Sequence, residues 1–140
     1  TQVSAGNYHS CGLHDDGTIE CWGFNLDGQS SAIEGVYIQV SAGGIHSCGL
    51  TADGAAVCWG SNLWGQSDPP PLVFAAISAG DSHTCGLAAD GSVTCWGAMG
   101  GDGAEPPADA FASISAGDNY TCGVNVVGAI RCFGKITQKK

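Results

Sequence analysis

The sequence predicts an all-β fold: propeller-type blades in four repeats of about three antiparallel strands each, arranged as an open arc. Three observations predict it. Gly6, Gly43, Gly80 and Gly117 recur at an interval of 37 residues, and a fixed interval of that size marks one supersecondary unit stacked repeatedly. All 8 cysteines fall into two registers of the same interval, Cys11, Cys48, Cys85, Cys122 and Cys21, Cys58, Cys95, Cys132. Asp16-Gly17, Asp53-Gly54 and Asp90-Gly91 each separate two short runs, which is a strong hairpin signal.

Each repeat opens with a strand. Tyr37 to Gly43, Phe74 to Gly80 and Phe111 to Gly117 read as extended segments ending in Ser-Ala-Gly, whose small side chains let backbones approach closely. A hairpin follows. In repeat 1 a three-residue loop, Asp15-Asp16-Gly17, puts Gly17 in the left-handed conformation that closes a type I turn with a bulge. His14 then faces Thr18, Leu13 faces Ile19, Gly12 faces Glu20 and Cys11 faces Cys21. Counted outward, the cysteine pair falls on the non-hydrogen-bonded set, where α-carbons approach to roughly 4.5 Å, within a disulfide's span. The expected bridges are Cys11–Cys21, Cys48–Cys58, Cys85–Cys95 and Cys122–Cys132. In repeat 4 the turn degenerates to Val127-Gly128.

Side chains alternate across a strand, so Ala56 and Cys58 share one face while Val57 and Trp59 share the other. Both faces are apolar, so each small sheet needs cover on both sides, as blades have in a ring or arc. The connectors read as loops: Asn25 to Gln29, Asn62 to Gln66, and the stiff Pro69–Pro71 and Pro106-Pro107 links. The chain is expected to be one repeat domain, 1–140, with repeats at about 1–36, 37–73, 74–110 and 111–140. Four repeats of 37 residues exceed the 140 available. The shortfall lies at the seam between Gly134 and Gly6, where a closed four-blade ring would lack a connector, so an open arc with covered ends is expected.

Composition narrows the function. Lys plus Arg total 4 against 13 Asp plus Glu, a formal net charge of −9, which opposes binding to a nucleic-acid backbone. Lys135, Lys139 and Lys140 form a basic tail that reads as a solvated end. No run approaches the length of a transmembrane helix. The chain opens at Thr1 without a methionine or a signal peptide, as a processed product or a piece of a longer protein would. Dense, evenly spaced cysteines without CxxC or HxxxH spacing favour disulfides in an oxidising compartment over metal binding. The expected location is therefore extracellular or on the cell surface, and no cofactor or metal is expected.

Val40 to Gly43, His46-Ser-Cys-Gly-Leu50, Asp53-Gly54 and Cys58-Trp-Gly-Ser-Asn-Leu-Trp-Gly-Gln66 together resemble a repeat of the regulator of chromosome condensation. The resemblance runs through all four repeats. It implies a β-propeller fold, often of seven blades, and a histidine that bonds to the backbone as a structural residue. The short repeat and three strands also resemble the bacterial propeller inhibitors of β-lactamases. Cysteine-bearing versions resemble extracellular members of the superfamily. Repeat 3 departs from the pattern with Met99 for the Asn and Gly-Asp-Gly103 without the Gln. Repeat 4 departs with Tyr120 for the His, Phe133 for the Trp and no Asn-x-x-Gly-Gln run. The family's nuclear member is a nucleotide exchange factor for a small GTPase; the acidic, cysteine-rich character of this chain does not support that role.

Candidate sites follow from the registers. His9, His46 and His83 could converge on a metal, but Tyr120 at the fourth register favours a structural role. Trp22, Trp59, Trp96 and Phe133 form a series expected in the core between blades. Asp15, Asp16, Asp53 and Asp90 are explained by their turns. Trp64 replaces Asp27 and Gly101 at its register and sits in a turn, so Trp64 and Tyr8 are the candidate partner-binding residues. Asn119-Tyr120-Thr121 is a candidate glycosylation sequon. No nucleophile, triad or phosphate loop stands out, so no enzyme is expected. The expected function is extracellular binding or assembly through a rigid, disulfide-stapled surface, with a protein partner or self-assembly. A glycan-binding lectin and a structural unit of a larger surface protein or filament are the alternatives.

Overall fold

The computed structural model describes residues 1–98 and 105–134. Met99, Gly100 to Gly103 and the Lys135, Lys139, Lys140 tail lie outside them. The described chain forms four separate three-stranded antiparallel sheets. Blade 1 is β1 (Gln2–Ala5), β2 (His9–Leu13) and β3 (Ile19–Gly23). Blade 2 is β4 (Tyr37–Ala42), β5 (His46–Thr51) and β6 (Ala56–Gly60). Blade 3 is β7 (Ala76–Ala79), β8 (His83–Leu87) and β9 (Val93–Gly97). Blade 4 is β10 (Phe111–Ala116), β11 (Tyr120–Asn125) and β12 (Ile130–Gly134). In every sheet the three strands lie in chain order.

The hairpin register is the one the turn chemistry dictates. Leu13 faces Ile19, Gly12 faces Glu20 and Cys11 faces Cys21. Gly17 has φ 83°, which only glycine adopts without steric cost. Asp16 Oδ1 accepts from the Thr18 amide at 3.0 Å and its hydroxyl at 2.6 Å, which fixes the turn. Asp90 does the same for Ser92. In the degenerate fourth hairpin Asn125 takes over, its Oδ1 accepting from the Val127 and Ala129 amides at 3.2 and 2.8 Å. Cys48–Cys58 and the three equivalent pairs are bridged within their own repeats, with α-carbons 4.0–4.1 Å apart.

The first strand of each blade lies at the axis of the arc. A Cβ on Gly6 would stand 2.1 Å from the Gly43 carbonyl oxygen, and one on Gly43 would stand 2.4 Å from that of Gly80. Larger residues in the Ser-Ala-Gly segments would therefore push the blades apart. The core is not inside a blade but between blades. Cys11, Leu13 and Ile19 of blade 1 pack against Tyr37, Val40, Ala42, Val57 and Trp59 of blade 2. Cys48 and Leu50 of blade 2 pack in the same way on Phe74, Ile77 and Trp96 of blade 3. Each blade thus has a trailing face, carrying its β2-type cysteine, and a leading face, carrying its Trp.

One expectation fails at the first blade. Trp59 and Trp96 are half-buried between blades and Phe133 is buried, but Trp22 is 52% exposed. Its ring lies over its own Gly12, and no other blade of the described residues packs on it.

Candidate functional site

The blades are joined by a repeated polar network. His9 Nε2 lies 2.6 Å from Ser47 Oγ, and that hydroxyl donates to the Gln29 carbonyl at 3.0 Å. The same carbonyl accepts Trp59 Nε1–H at 3.0 Å. Because Ser47 spends its proton on Gln29, the histidine must donate through Nε2–H, which leaves Nδ1 as its unprotonated nitrogen. One blade on, His46 bonds Thr84 Oγ1 at 2.8 Å, which donates to the Gln66 carbonyl at 3.1 Å, with Trp96 Nε1 on that carbonyl at 3.0 Å. His83 bonds Thr121 Oγ1 at 2.9 Å. The side-chain partner of each histidine is therefore a hydroxyl of the next blade, and for His9 and His46 the backbone of that blade also favours the ring.

Burial lowers the pKa of all three histidines. For His46, fully enclosed, the value falls to about 4, with His83 and His9 adding smaller repulsions and the His83 backbone opposing. His9 is lowered by burial against a weaker pull from the His46 backbone, and His83 by burial against the Asp81 carboxylate. Protonation would charge the free Nδ1 in an apolar interface, so these rings act as neutral fasteners. Among the described residues no group of three or more His, Cys, Asp or Glu side chains is placed to hold a metal.

Gln29 and Gln66, which motif reading noted only as the end of a turn, are wholly buried. Gln29 Oε1 accepts the Asp27 amide at 3.0 Å and Gln66 Oε1 accepts the Trp64 amide at 2.9 Å. Each glutamine therefore locks the tight loop before it and delivers its carbonyl to the next blade. Gly103 holds that register in repeat 3, and Phe133, which has no indole N–H, follows it in blade 4. The donor and the connector motif disappear together.

The locked connectors hold large apolar side chains in solvent. Leu26 is 86% exposed, Leu63 80% and Trp64 64%. Tyr8, also 64% exposed, sits in the β1–β2 turn and tilts against Phe24 with ring centroids 6.0 Å apart. The Phe24 amide bonds the Tyr8 carbonyl at 3.0 Å, and the Ser61 amide bonds the Ile45 carbonyl at 2.9 Å. These bonds join the start of each connector to its β1–β2-type turn, so Tyr8, Phe24, Leu26, Leu63 and Trp64 share one rim of the arc. Phe24, Leu26 and Leu63 were not singled out from sequence. Their signal was an apolar residue inside an otherwise polar connector. Toward the axis the rim is polar, with Asn7 Nδ2 donating to Asp81 Oδ1 at 2.7 Å.

The opposite rim carries the hairpin turns. His14 is exposed there, its Nε2 3.4 Å from Glu20 Oε2. Asp16, Asp53 and Asp90 have carboxyls held below the usual range, chiefly by the hydroxyls of Thr18, Thr51 and Ser92. Asp15 is lowered too, first by the Thr1 hydroxyl. In blade 4 Asn119 is exposed, while Thr121 of the same sequon is buried against His83.

The family model for the regulator of chromosome condensation (RCC1) repeat matches residues 1–29, 37–66 and 74–103. No curated protein sequence matches the chain. Among solved structures, the chain is similar to the entire ectodomain of the Physcomitrella patens receptor kinase CR4, at 31% identity and a TM-score of 0.82 over 94% of this chain and 38% of that one. It is similar to the CRINKLY WD40 ectodomain of the Arabidopsis thaliana receptor kinase ACR4, also at 31% and 0.82, over 94% of this chain and 49% of that one. Prp20p from Saccharomyces cerevisiae, a protein with binding properties to Gsp1p and histones, shares the fold at 20% identity and a TM-score of 0.79, over 95% of this chain and 44% of that one. The chain spans less than half the length of each of these structures.

Proposed function

We propose that this chain, which belongs to the regulator of chromosome condensation repeat family, is an extracellular or cell-surface module that binds a protein partner and performs no chemistry. The single observation that carries the reading is the rim: Tyr8, Phe24, Leu26, Leu63 and Trp64 are large apolar side chains held in solvent by a rigid scaffold. Rigid aromatic anchors lose little conformational entropy on binding and dominate protein interfaces. The scaffold is stapled in every repeat, which suits an oxidising compartment. The likeness to two plant receptor ectodomains at 31% identity supports the same location. The reading treats residues 1–140 as one stacking unit, with Tyr8 and Trp64 as its contact anchors.

The test compares wild type with the double variant Tyr8→Ala, Trp64→Ala in cross-linking capture from the source's extracellular fraction. A specific partner should cross-link to the rim and be lost with the double variant while thermal stability is unchanged. Capture that survives the double variant would place binding elsewhere. A glycan array run in parallel is expected to stay blank.

A further inference from the structure

The two end faces of the described arc carry the registers that pack between blades elsewhere in the chain. Leading-face Val40 and Ile77 are 1% and 3% exposed between blades, yet Val3, at their register in blade 1, is 69% exposed. Trailing-face Leu13, Leu50 and Leu87 are buried, yet Val124, at their register in blade 4, is exposed, and Ile130 beside it is 70% exposed. Ile114, Ser115, Cys122, Val124 and Ile130 line an open apolar groove there.

The hydrogen-bonding groups are in register as well. Within the arc the Ala42, Ala79 and Ala116 amides donate to Ser4, Ser41 and Ser78 Oγ at 2.8–2.9 Å. Ser115 is the next acceptor in that series and Ala5 the first donor. Ser10 holds the register of Ser47, Thr84 and Thr121, which fasten the histidines, and Tyr120 holds that of the histidines themselves.

Charge is split the same way. Arg131, Lys135, Lys139 and Lys140 are all of the cations, whereas the 13 Asp and Glu precede them. At the other end, Glu20 stands where blade 2 has Val57, one of the residues packed between blades, and it shares the leading face with Trp22.

From these observations we infer that the chain associates with a second copy of itself head to tail, the trailing face of blade 4 docking on the leading face of blade 1. The contact is heterologous, joining two different surfaces. It covers Trp22, Val3, Val124 and Ile130 together.

Two single variants test this by mass measurement across a concentration series. Ile130→Glu blocks the trailing face and Trp22→Glu blocks the leading face; intact bridges and an unchanged circular dichroism spectrum establish that each folds. Val124→Glu and Val3→Glu serve the same purpose if either does not. Wild type should gain mass by whole copies as concentration rises, and each variant alone should remain a monomer. A mixture of the two should form a one-to-one dimer and stop, because only one compatible pair of faces remains. Wild type that is monomeric throughout, or a variant that dimerises by itself, would overturn the inference.

Discussion

His46 is fully buried, yet it responds strongly to a change of pH. Its folded pKa is about 4 and its ordinary value 6.5. The unfolded chain therefore takes up a proton below 6.5 that the folded chain refuses until about 4. Stability is fully present above pH 6.5 and is lost as pH falls through that window, by about 3 kcal/mol from this group. His9 and His83 add in the same direction. Denaturant melts at pH 7 and pH 4.5 check this, and His46→Gln should flatten the dependence; equal midpoints for wild type at the two pH values would remove the fastener role. The two kinds of tryptophan separate as cleanly. Trp59 packs between blades and bonds the Gln29 carbonyl, so Trp59→Ala should cost about 3 kcal/mol. Trp64 is a solvent-held anchor, and Trp64→Ala should cost less than about 0.5 kcal/mol. Thermal melts decide between these, and equal losses would make Trp64 a core residue. The histidine, cysteine and tryptophan series were legible at fixed spacing. Spacing alone gave no partner for the histidine, because Ser47, Thr84 and Thr121 look like ordinary strand residues until the next blade is stacked on.

The hairpin is the element that sequence specified most completely. The Asp-Gly turn sets the pairing, the pairing sets Cys48 opposite Cys58, and the bridge then closes a loop of ten residues. Cys48→Ser, Cys58→Ser should cost about 2–3 kcal/mol by loop entropy alone, with further loss because Cys48 is buried against the next blade. Urea midpoints of the double variant measure it; no change would mean that the bridge does not constrain the unfolded chain. Gly54→Ala should also destabilise, because Gly54 has φ 87° and a Cβ there would meet Val73 Cγ1 at 2.6 Å. The connectors were less legible. Their Asn-x-x-Gly-Gln runs read as surface loops, yet Gln29 and Gln66 are wholly buried. A glutamine whose side chain caps a loop while its carbonyl fastens the neighbouring blade is a tertiary feature with no local periodicity.

At the scale of the whole molecule, one interface repeated along the chain determines both stability and shape. Adjacent blades touch through faces that no single blade buries, so stability should grow with the number of stacked neighbours. The arc and its blade count were readable from the 37-residue interval. The exposure of Trp22 was not, because a residue at a core register is core only if a neighbour exists to cover it. The rim at Tyr8, Phe24, Leu26, Leu63 and Trp64 was half-read for the same reason, since a shared rim emerges only when turns and connectors of different blades are brought side by side. The blades form an arc with its two end faces apart. Small-angle X-ray scattering from the Ile130→Glu monomer tests it most directly. An asymmetric pair-distance distribution with the long tail of an open arc is expected. A compact, symmetric distribution, fitted by a ring in which blade 4 closes on blade 1 of the same chain, would contradict it.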